Sequence, residues 1–567
     1  MKLKRCMAII LAGTMAVTGL AGCSNQSNEK EESTDIAQDN LPVDEDGNIS
    51  PFGKYEEPIT VEIVQSINPT SELPEGDSTT DNYYTRYVKE NMNIDISIKW
   101  QAADADFTQK FNLAIAANDL PDVMVVSASD FIKLKKSDLI EDLTPYYNQF
   151  ASDTIKADID ATDGMAIEAA SVDGKIYGLP GVNAEGDSYS LMWIRQDWLD
   201  ELGLEVPKTI EEMETVAKAF VDNQMGGDHT VGVLAASSGS ALYSDFISPL
   251  DKLYKLDGIF QAYKSWPGFW IEEEEGNVVY GSITSETKEA LSKLQEMYEN
   301  GILDQEIGIR KSADEAWKSG QVGILFSPWW HGYMIAEAAI NDPDAEWMAY
   351  AAPVAEDGQW YPKMGTPTTG FVVVRKGYEH PEAAILLNNF LRRDEGIFAI
   401  ETTLTVGYYP GRIVVAAIDE IEFSAEILQK YMNGEEVPEY DPVSYKLLDA
   451  DIESLKEVKD EPYDDLSIET WHMDHPNFGR LYSLLVGTSA VLQAEKEGII
   501  NKQYSLTYQQ TETIEKKWTN LKKKEDETFL KIIIGEESID YFDTFVEEWK
   551  AEGGDEITAE VQALSEK

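Results

Sequence analysis

Flat aromatic rings beside polar groups are the chemistry this chain offers most freely. Trp329-Trp330-His331 follow an apolar run, and Trp193 sits in the stretch MWIRQDW. Trp266, Trp270 and Trp360 stand in loop-like, Gly- and Pro-bearing surroundings, and Tyr408-Tyr409-Pro410-Gly411-Arg412 sets two rings beside a cation. Such rings can stack on the C–H faces of pyranoses while polar side chains bond the hydroxyls. An isolated Trp in a large chain also serves as core or domain packing, so each of these residues carries both readings. Asp130, just past the run VMVVS, could accept from a hydroxyl at a strand's end or cap a helix. Arg195 could reach a ligand or pair with Asp197.

Signatures of reaction chemistry are mostly missing from the sequence. It holds no Walker phosphate loop, no Gly-x-Ser-x-Gly elbow and no His-Glu-x-x-His zinc helix. His472 and His475 stand three apart, but the chain has only five His and suggests no third ligand, which favours a surface loop. With 104 acidic residues, neighbouring carboxylates arise by chance and cannot argue for glycosidase chemistry. The formal charge of −58 excludes general binding to nucleic acid or anionic lipid. An anionic ligand would have to be met by a local Arg or Lys cluster against this field.

The first residues carry a different chemistry. Lys2, Lys4 and Arg5 precede an apolar stretch, Met7 to Leu20, that is too short to span a bilayer, and Leu20-Ala21-Gly22-Cys23 closes it. The pattern resembles a bacterial lipobox. It implies a signal peptide over 1–22 and lipidation of Cys23, which would moor the protein on the outer face of the membrane. Residues 23–57 are expected to form a solvated linker, since 24–50 contain no aromatic residue and are rich in Ser, Asn, Asp and Glu. Cys6 and Cys23 are the two cysteines, so no disulfide is expected and the body must rely on its core.

The elements that must position the rings follow a β-α-β rhythm. ITVEIVQS (59–66) and IDISIKW (94–100) alternate as strands, residues 106–118 form a helix, and VMVVS (123–127) is a buried strand. Thr209 and Glu212 form a capping box ahead of Met213, Val216, Ala217 and Phe220. A helix runs over 285–300, VGILFS (322–327) and FVVVR (371–375) read as strands, and His380-Pro381-Glu382 opens a further helix. This rhythm favours a mostly parallel sheet with helices on its faces.

Six stretches then carry a resemblance: ENMNIDISIKW with KFNLAIAANDLPDVMVV, DGKIYGLP (173–180), MWIRQDWLDELGLEVPKTIEEM (192–213), TKEALSKLQEMYENGILDQE (287–306), WKSGQVGILFSPWW (317–330) and the C-terminal 531–561. In this order they resemble the lipid-anchored substrate-binding proteins of bacterial carbohydrate ABC importers (extracellular solute-binding protein family 1, long lipoprotein branch). The resemblance implies an α/β, two-lobe, periplasmic-binding-protein-like (type II) fold with a hinge and an interlobe cleft. It places a first lobe at 58–179 plus 366–405 and a second, helix-rich lobe at 180–365 plus 406–567. Gly178-Leu179-Pro180 and Gly365 to Gly370 are the expected crossovers. It implies Trp193 and Trp330 as ligand platforms, with Trp329, Asp130, Arg195, Trp270, Trp360, Tyr409 and Arg412 as further candidates.

The function so implied is non-enzymatic. An oligosaccharide is bound between the lobes and delivered to an ABC permease by a monomer. The alternatives are a surface glycoside hydrolase or lyase, or a receptor for peptides or another non-sugar solute. Relatives often carry a calcium loop after the helix that ends here at Phe220, but VDNQMGGDHTVGV (221–233) keeps only Asp222 and Asp228 as oxygen ligands. Calcium takes about six to eight oxygens. The expectation is therefore no cofactor, with calcium at this loop as the alternative.

Overall fold

Apolar residues spaced two apart in ITVEIVQSI turn Ile59, Val61 and Ile63 to one buried face, which makes the segment a strand rather than a helix. The computed structural model describes residues 40–67, 73–273, 276–339, 341–368, 370–401 and 408–565. The expected signal peptide and Cys23 lie outside these residues. In chain order the elements used below are β1 (Ile59–Ile67), α1 (Tyr83–Met92), β2 (Ile94–Ala103), α2 (Asp104–Ala117), β3 (Val123–Ser127), α3 (Ala128–Lys136), β4 (Leu179–Pro180), β5 (Leu191–Arg195), α4 (Ile210–Asp222), β6 (Val231–Val233), α5 (Ser285–Glu299), β7 (Val322–Ser327), β8 (Trp347–Tyr350), β9 (Gly370–Val374), α6 (Glu382–Glu401), α7 (Glu420–Met432), α8 (Glu512–Ile533) and α9 (Asp555–Ser565).

One half of the fold is built on β1 paired parallel to β2 and on a sheet in which β9 lies between β3 and β4. β9 runs antiparallel to β3, from Gly370 opposite Ser127 to Val374 opposite Val123. Met124, Val126, Phe131, Leu134, Phe371 and Val373 form its core. The helical expectation for 106–118 and the strand expectation for 123–127 are both met.

The other half is built on a four-stranded sheet ordered β8-β5-β7-β6. Only β6 and β7 are parallel; β5 runs antiparallel to both β7 and β8. The mostly parallel sheet expected from the β-α-β rhythm is thus not what forms. Both faces of this sheet are covered. Met192, Ile194 and Phe326 enter one core with Phe220, Leu294 and Phe529, while Leu191, Trp193 and Leu325 enter another with Trp317, Trp347 and Tyr482. Thr209 caps α4 by accepting from the Glu212 amide at 3.3 Å, but the Glu212 carboxylate reaches back to the Lys208 amide at 2.8 Å, one residue outside the expected box.

The second half also buries a charge cluster. Lys252, Lys363 and Asp257 have no exposed side-chain surface, and Lys363 Nζ lies 2.9 Å from Asp257 Oδ1. Lys252 donates to Ser244 Oγ at 2.9 Å and to the Lys363 carbonyl at 3.1 Å. Burial would raise the Asp257 pKa, but the two ammonium groups outweigh it and hold the carboxyl at about 2. Burial draws Lys252 down to about 7.

The expected linker over 23–57 ends earlier than its composition suggests. From Asn40 the chain packs on the body: Val43 bridges to Lys54, Phe52 meets Phe390 edge-on, and Tyr55 is buried with its hydroxyl donating to Glu382. Phe52 and Tyr55 carry apolar area that a solvated spacer cannot hold.

Candidate functional site

Three chain segments cross between the halves side by side. In the first, Gly181 donates to the Gly370 carbonyl at 3.0 Å and Val182 to the Val414 carbonyl at 2.8 Å. Asn183 then donates to the Pro367 carbonyl at 2.9 Å and Glu185 to that of Ile418 at 2.7 Å. Thr368 Oγ1 returns to the Gly181 carbonyl at 2.7 Å. The crossings therefore comprise 181–185, 365–368 with Gly370, and 413–418. The second was expected as the run from Gly365; the first lies just past the expected Gly178-Leu179-Pro180, whose Leu179 and Pro180 form β4 of the first half, and the third, IVVAAI, was not expected. No side chain fits at Gly181, where a Cβ would sit 2.9 Å from the Val414 carbonyl oxygen.

A pocket lies against these crossings. Met165 closes it from the first half, Asn183, Thr366 and Pro367 form its floor, and Glu185, Ser188, Leu250 and Tyr504 its far wall. Its open volume is about 20 Å³. A wider groove of about 650 Å³ also runs between the halves, with Phe131, Ile132, Lys135 and Lys136 facing Gln509, Gln510, Thr511 and Leu564. Lys136 Nζ spans it to Glu515 at 3.1 Å.

Trp329 and Asp187 stand next to the pocket, at the ends of β7 and of the first crossing. The indole N–H donates to Asp187 Oδ1 at 2.9 Å, and Tyr333, 46% exposed, meets the Trp329 ring edge-on at 6.2 Å. Burial lifts the Asp187 pKa, the Trp329 N–H offsets part of this, and Glu420 adds to it. Trp329 is itself only 5% exposed, and Trp330 is half-buried against the second core. Asp130 stands where β3 ends, as read. Its helix is capped by Ser127, which accepts from the Asp130 amide at 3.2 Å, and its carboxylate pairs with Lys133 at 2.9 Å.

The remaining sequence candidates are corrected. Trp193 is on β5, the strand between β7 and β8, and both faces of that sheet are covered, so neither alternation of its side chains reaches solvent. Its ring is fully buried, with its N–H on the Pro328 carbonyl at 3.2 Å and His331 at 5.2 Å. Trp270 is fully buried between Tyr280 and Trp549, and Trp360 is stacked on Tyr189 at 5.4 Å. Tyr409 lies edge-on to Tyr84 and donates to the Leu387 carbonyl at 3.1 Å. That packing keeps residues 408–412 with the first half. Arg412 pairs with Glu395 at 3.2 Å. Arg195 is buried over the Trp198 ring and held by Asp197 and Asp342. Trp193, Trp270, Trp360, Tyr409 and Arg195 are buried away from a guest, while Arg412, 20% exposed, is held by Glu395.

Sequence reasoning missed Met165, Asn183, Asp187, Ser188, Leu250 and Tyr504. No motif marks them, because they come together only when the three crossings align. Glu422, in the first turn of α7, was missed too. Both of its carboxylate oxygens are buried beside Gly186 with no hydrogen bond to another residue. Burial first, then Glu185 and Glu495, push its pKa up to about 8.

A larger hollow of about 820 Å³ lies in the second half alone, around Asp228, Asp304 and Arg310. Its buried charges satisfy one another, with Arg310 Nη2 on Asp304 Oδ1 at 2.6 Å. In the loop read against the calcium motif, Asp222 pairs with Lys218 at 2.8 Å. Among the described residues no group of three or more His, Cys, Asp or Glu could hold a metal ion, and no helix is long and apolar enough to cross a membrane. His472 and His475 lie near Asp460 and Glu457 at 3.3 and 3.6 Å.

Two α/β halves strung on three crossing segments, with a groove between them, define a bilobal binding protein. Residues 82–429, more than half of the chain, match the model of the bacterial extracellular solute-binding proteins, and the chain belongs to that family. It is 24% identical over 263 residues to the polygalacturonan/rhamnogalacturonan-binding protein YtcQ of Bacillus subtilis, covering 45% of this chain and 47% of that one. It is 27% identical over 226 residues to the fructooligosaccharide ABC transporter substrate-binding protein FusA of Streptococcus pneumoniae, covering 37% and 40%. The chain thus matches less than half the length of these curated relatives. Among solved structures, an HMO-binding, ABC-transporter-associated solute-binding protein from Bifidobacterium longum infantis shares the fold with a TM-score of 0.60 at 14% identity, covering 90% of this chain and 99% of that one.

Proposed function

We propose that this protein is an extracellular receptor that binds an oligosaccharide between its halves and hands it to an ABC permease without altering it. The observation that carries this reading is the Trp329–Asp187 pair beside the crossings: an indole next to a carboxylate with an oxygen free of protein donors. A sugar uses both, stacking its C–H face and donating a hydroxyl. Trp330, Tyr333 and Asp130 would extend the contact, and the amides of Gln509 and Gln510 would bond hydroxyls further out. The names of YtcQ and FusA support a glycan as the solute.

The crossings at 181–185, 365–368 with Gly370, and 413–418 act as the hinge in this reading. The first lobe then holds 40–179 plus 371–401 and the adjoining 408–412, and the second holds the rest of the described body. A guest that touches both lobes favours the closed form over the open one and shifts the population. Cys23 would carry the lipid, which keeps the receptor beside its permease and raises its effective concentration there.

A melting-temperature screen of oligosaccharide series tests the reading. A ligand that binds only the folded state stabilises it by about 2.7 kcal/mol at a hundred times its Kd. At least one series should raise Tm with no product released. Stabilisation by peptides alone, or release of shortened sugars, would sink the proposal.

A further inference from the structure

We propose that the cleft takes uncharged glycans and turns away those bearing uronate carboxylates. This rests on the glycan reading above and narrows it. A uronate is met best by a cation, and of the cations at the cleft all but Lys135 are already paired with carboxylates. Lys502, beside the pocket, pairs with Glu185. Lys136 pairs with Glu515 at 3.1 Å, and Lys135 lies over the Tyr177 ring at 3.7 Å. Lys133 is held by Asp130 at 2.9 Å, and Arg480, behind Tyr333, by Asp451 at 2.9 Å. Arg195 and Arg412, which the sequence offered as ligand contacts, are engaged with Asp197, Asp342 and Glu395.

Two carboxyl groups here lack a cation. Asp187 has the Trp329 N–H and no cation, and the buried oxygens of Glu422 have no partner on another residue. Both carboxyl groups are pushed up in pKa, chiefly by burial, so the region already resists negative charge. A hydroxyl can donate to the free oxygen of Asp187, whereas a carboxylate brought there meets a like charge in a partly dry site. The chain's charge of −58 adds a field of the same sign.

Calorimetry on the full chain at low salt tests the inference with fructo-, xylo- and malto-oligosaccharides against oligogalacturonides and alginate oligosaccharides. At least one neutral series should bind, and the uronate series should bind about tenfold more weakly or not at all. A uronate series that binds as tightly as the best neutral one would overturn the inference while leaving the glycan reading intact. Silence from all five would overturn the glycan reading and this inference with it. Glu185→Gln, which releases Lys502, should let oligogalacturonides bind measurably. No gain in a variant that still melts cooperatively would show that cation pairing is not what excludes them.

Discussion

Two buried clusters of charge in this molecule are built differently. Deep in the second half, Asp257 stands between Lys252 and Lys363, and Ser244 and backbone carbonyls take the remaining donors. Beside the crossings, half-buried Asp187 has one donor and no cation, and both oxygens of Glu422 are buried with no partner on another residue, which keeps Glu422 protonated up to about pH 8. A buried charge without a partner is costly, so the first arrangement is what stability alone would favour. The second leaves polar groups unpaired where two halves meet, and it is explained if a guest supplies the missing partners.

Breaking the satisfied cluster should have the largest effect. Asp257→Asn leaves two buried amines without a counter-charge and should cost about 3–5 kcal/mol in chemical denaturation. A loss under about 1 kcal/mol would show that the cluster does not hold the second half together. Trp193→Ala should follow closely, at about 3–5 kcal/mol, from the cavity left in the doubly covered sheet. The fraction that still folds should keep its affinity for glycan. Trp329→Ala should also cost stability, since its ring is only 5% exposed, but unlike Trp193→Ala it should lower glycan affinity about tenfold or more. Equal affinity losses in the two variants would erase the distinction between core and site tryptophans.

Asp187→Asn should be milder, weakening the best glycan by about three- to tenfold through loss of one charge-assisted hydrogen bond, about 1 kcal/mol. Tm should hold or rise slightly, because the amide carries no buried charge. The smallest effect concerns pH. Glu422 keeps its proton in the fold up to about pH 8, well above its unfolded pKa. Its contribution to stability is therefore complete below about pH 4.3 and is lost as pH rises through about 8. Glu422→Gln mimics the protonated form, so its Tm advantage over the natural chain should grow from pH 5 to pH 9. An advantage that stays constant over that range would mean Glu422 ionises normally.

Much of the fold was legible because its signals are local. The alternation of ITVEIVQSI, the buried run VMVVS and the cap at Thr209 each depend on a few adjacent residues. The strand directions of the second half were not legible, since pairing is decided between segments more than a hundred residues apart. The site was legible only in part. Trp329 and Asp130 follow buried strands, a position sequence can point to. Trp193 looked equivalent, yet it lies inside its strand rather than beyond it, and the coverage of both sheet faces by helices from the C-terminal third cannot be read from MWIRQDW. Tyr504 and Asp187 belong to no pattern until the crossings bring them together.

Hydrogen–deuterium exchange, with and without the oligosaccharide that raises Tm most, tests the central claim most directly. Protection should rise at 181–188, 365–368, 413–418 and 502–511, the two edges of the groove and the crossings between them. Protection confined to the hollow around Asp304 and Arg310, or none along the crossings, would contradict a guest clamped between the halves.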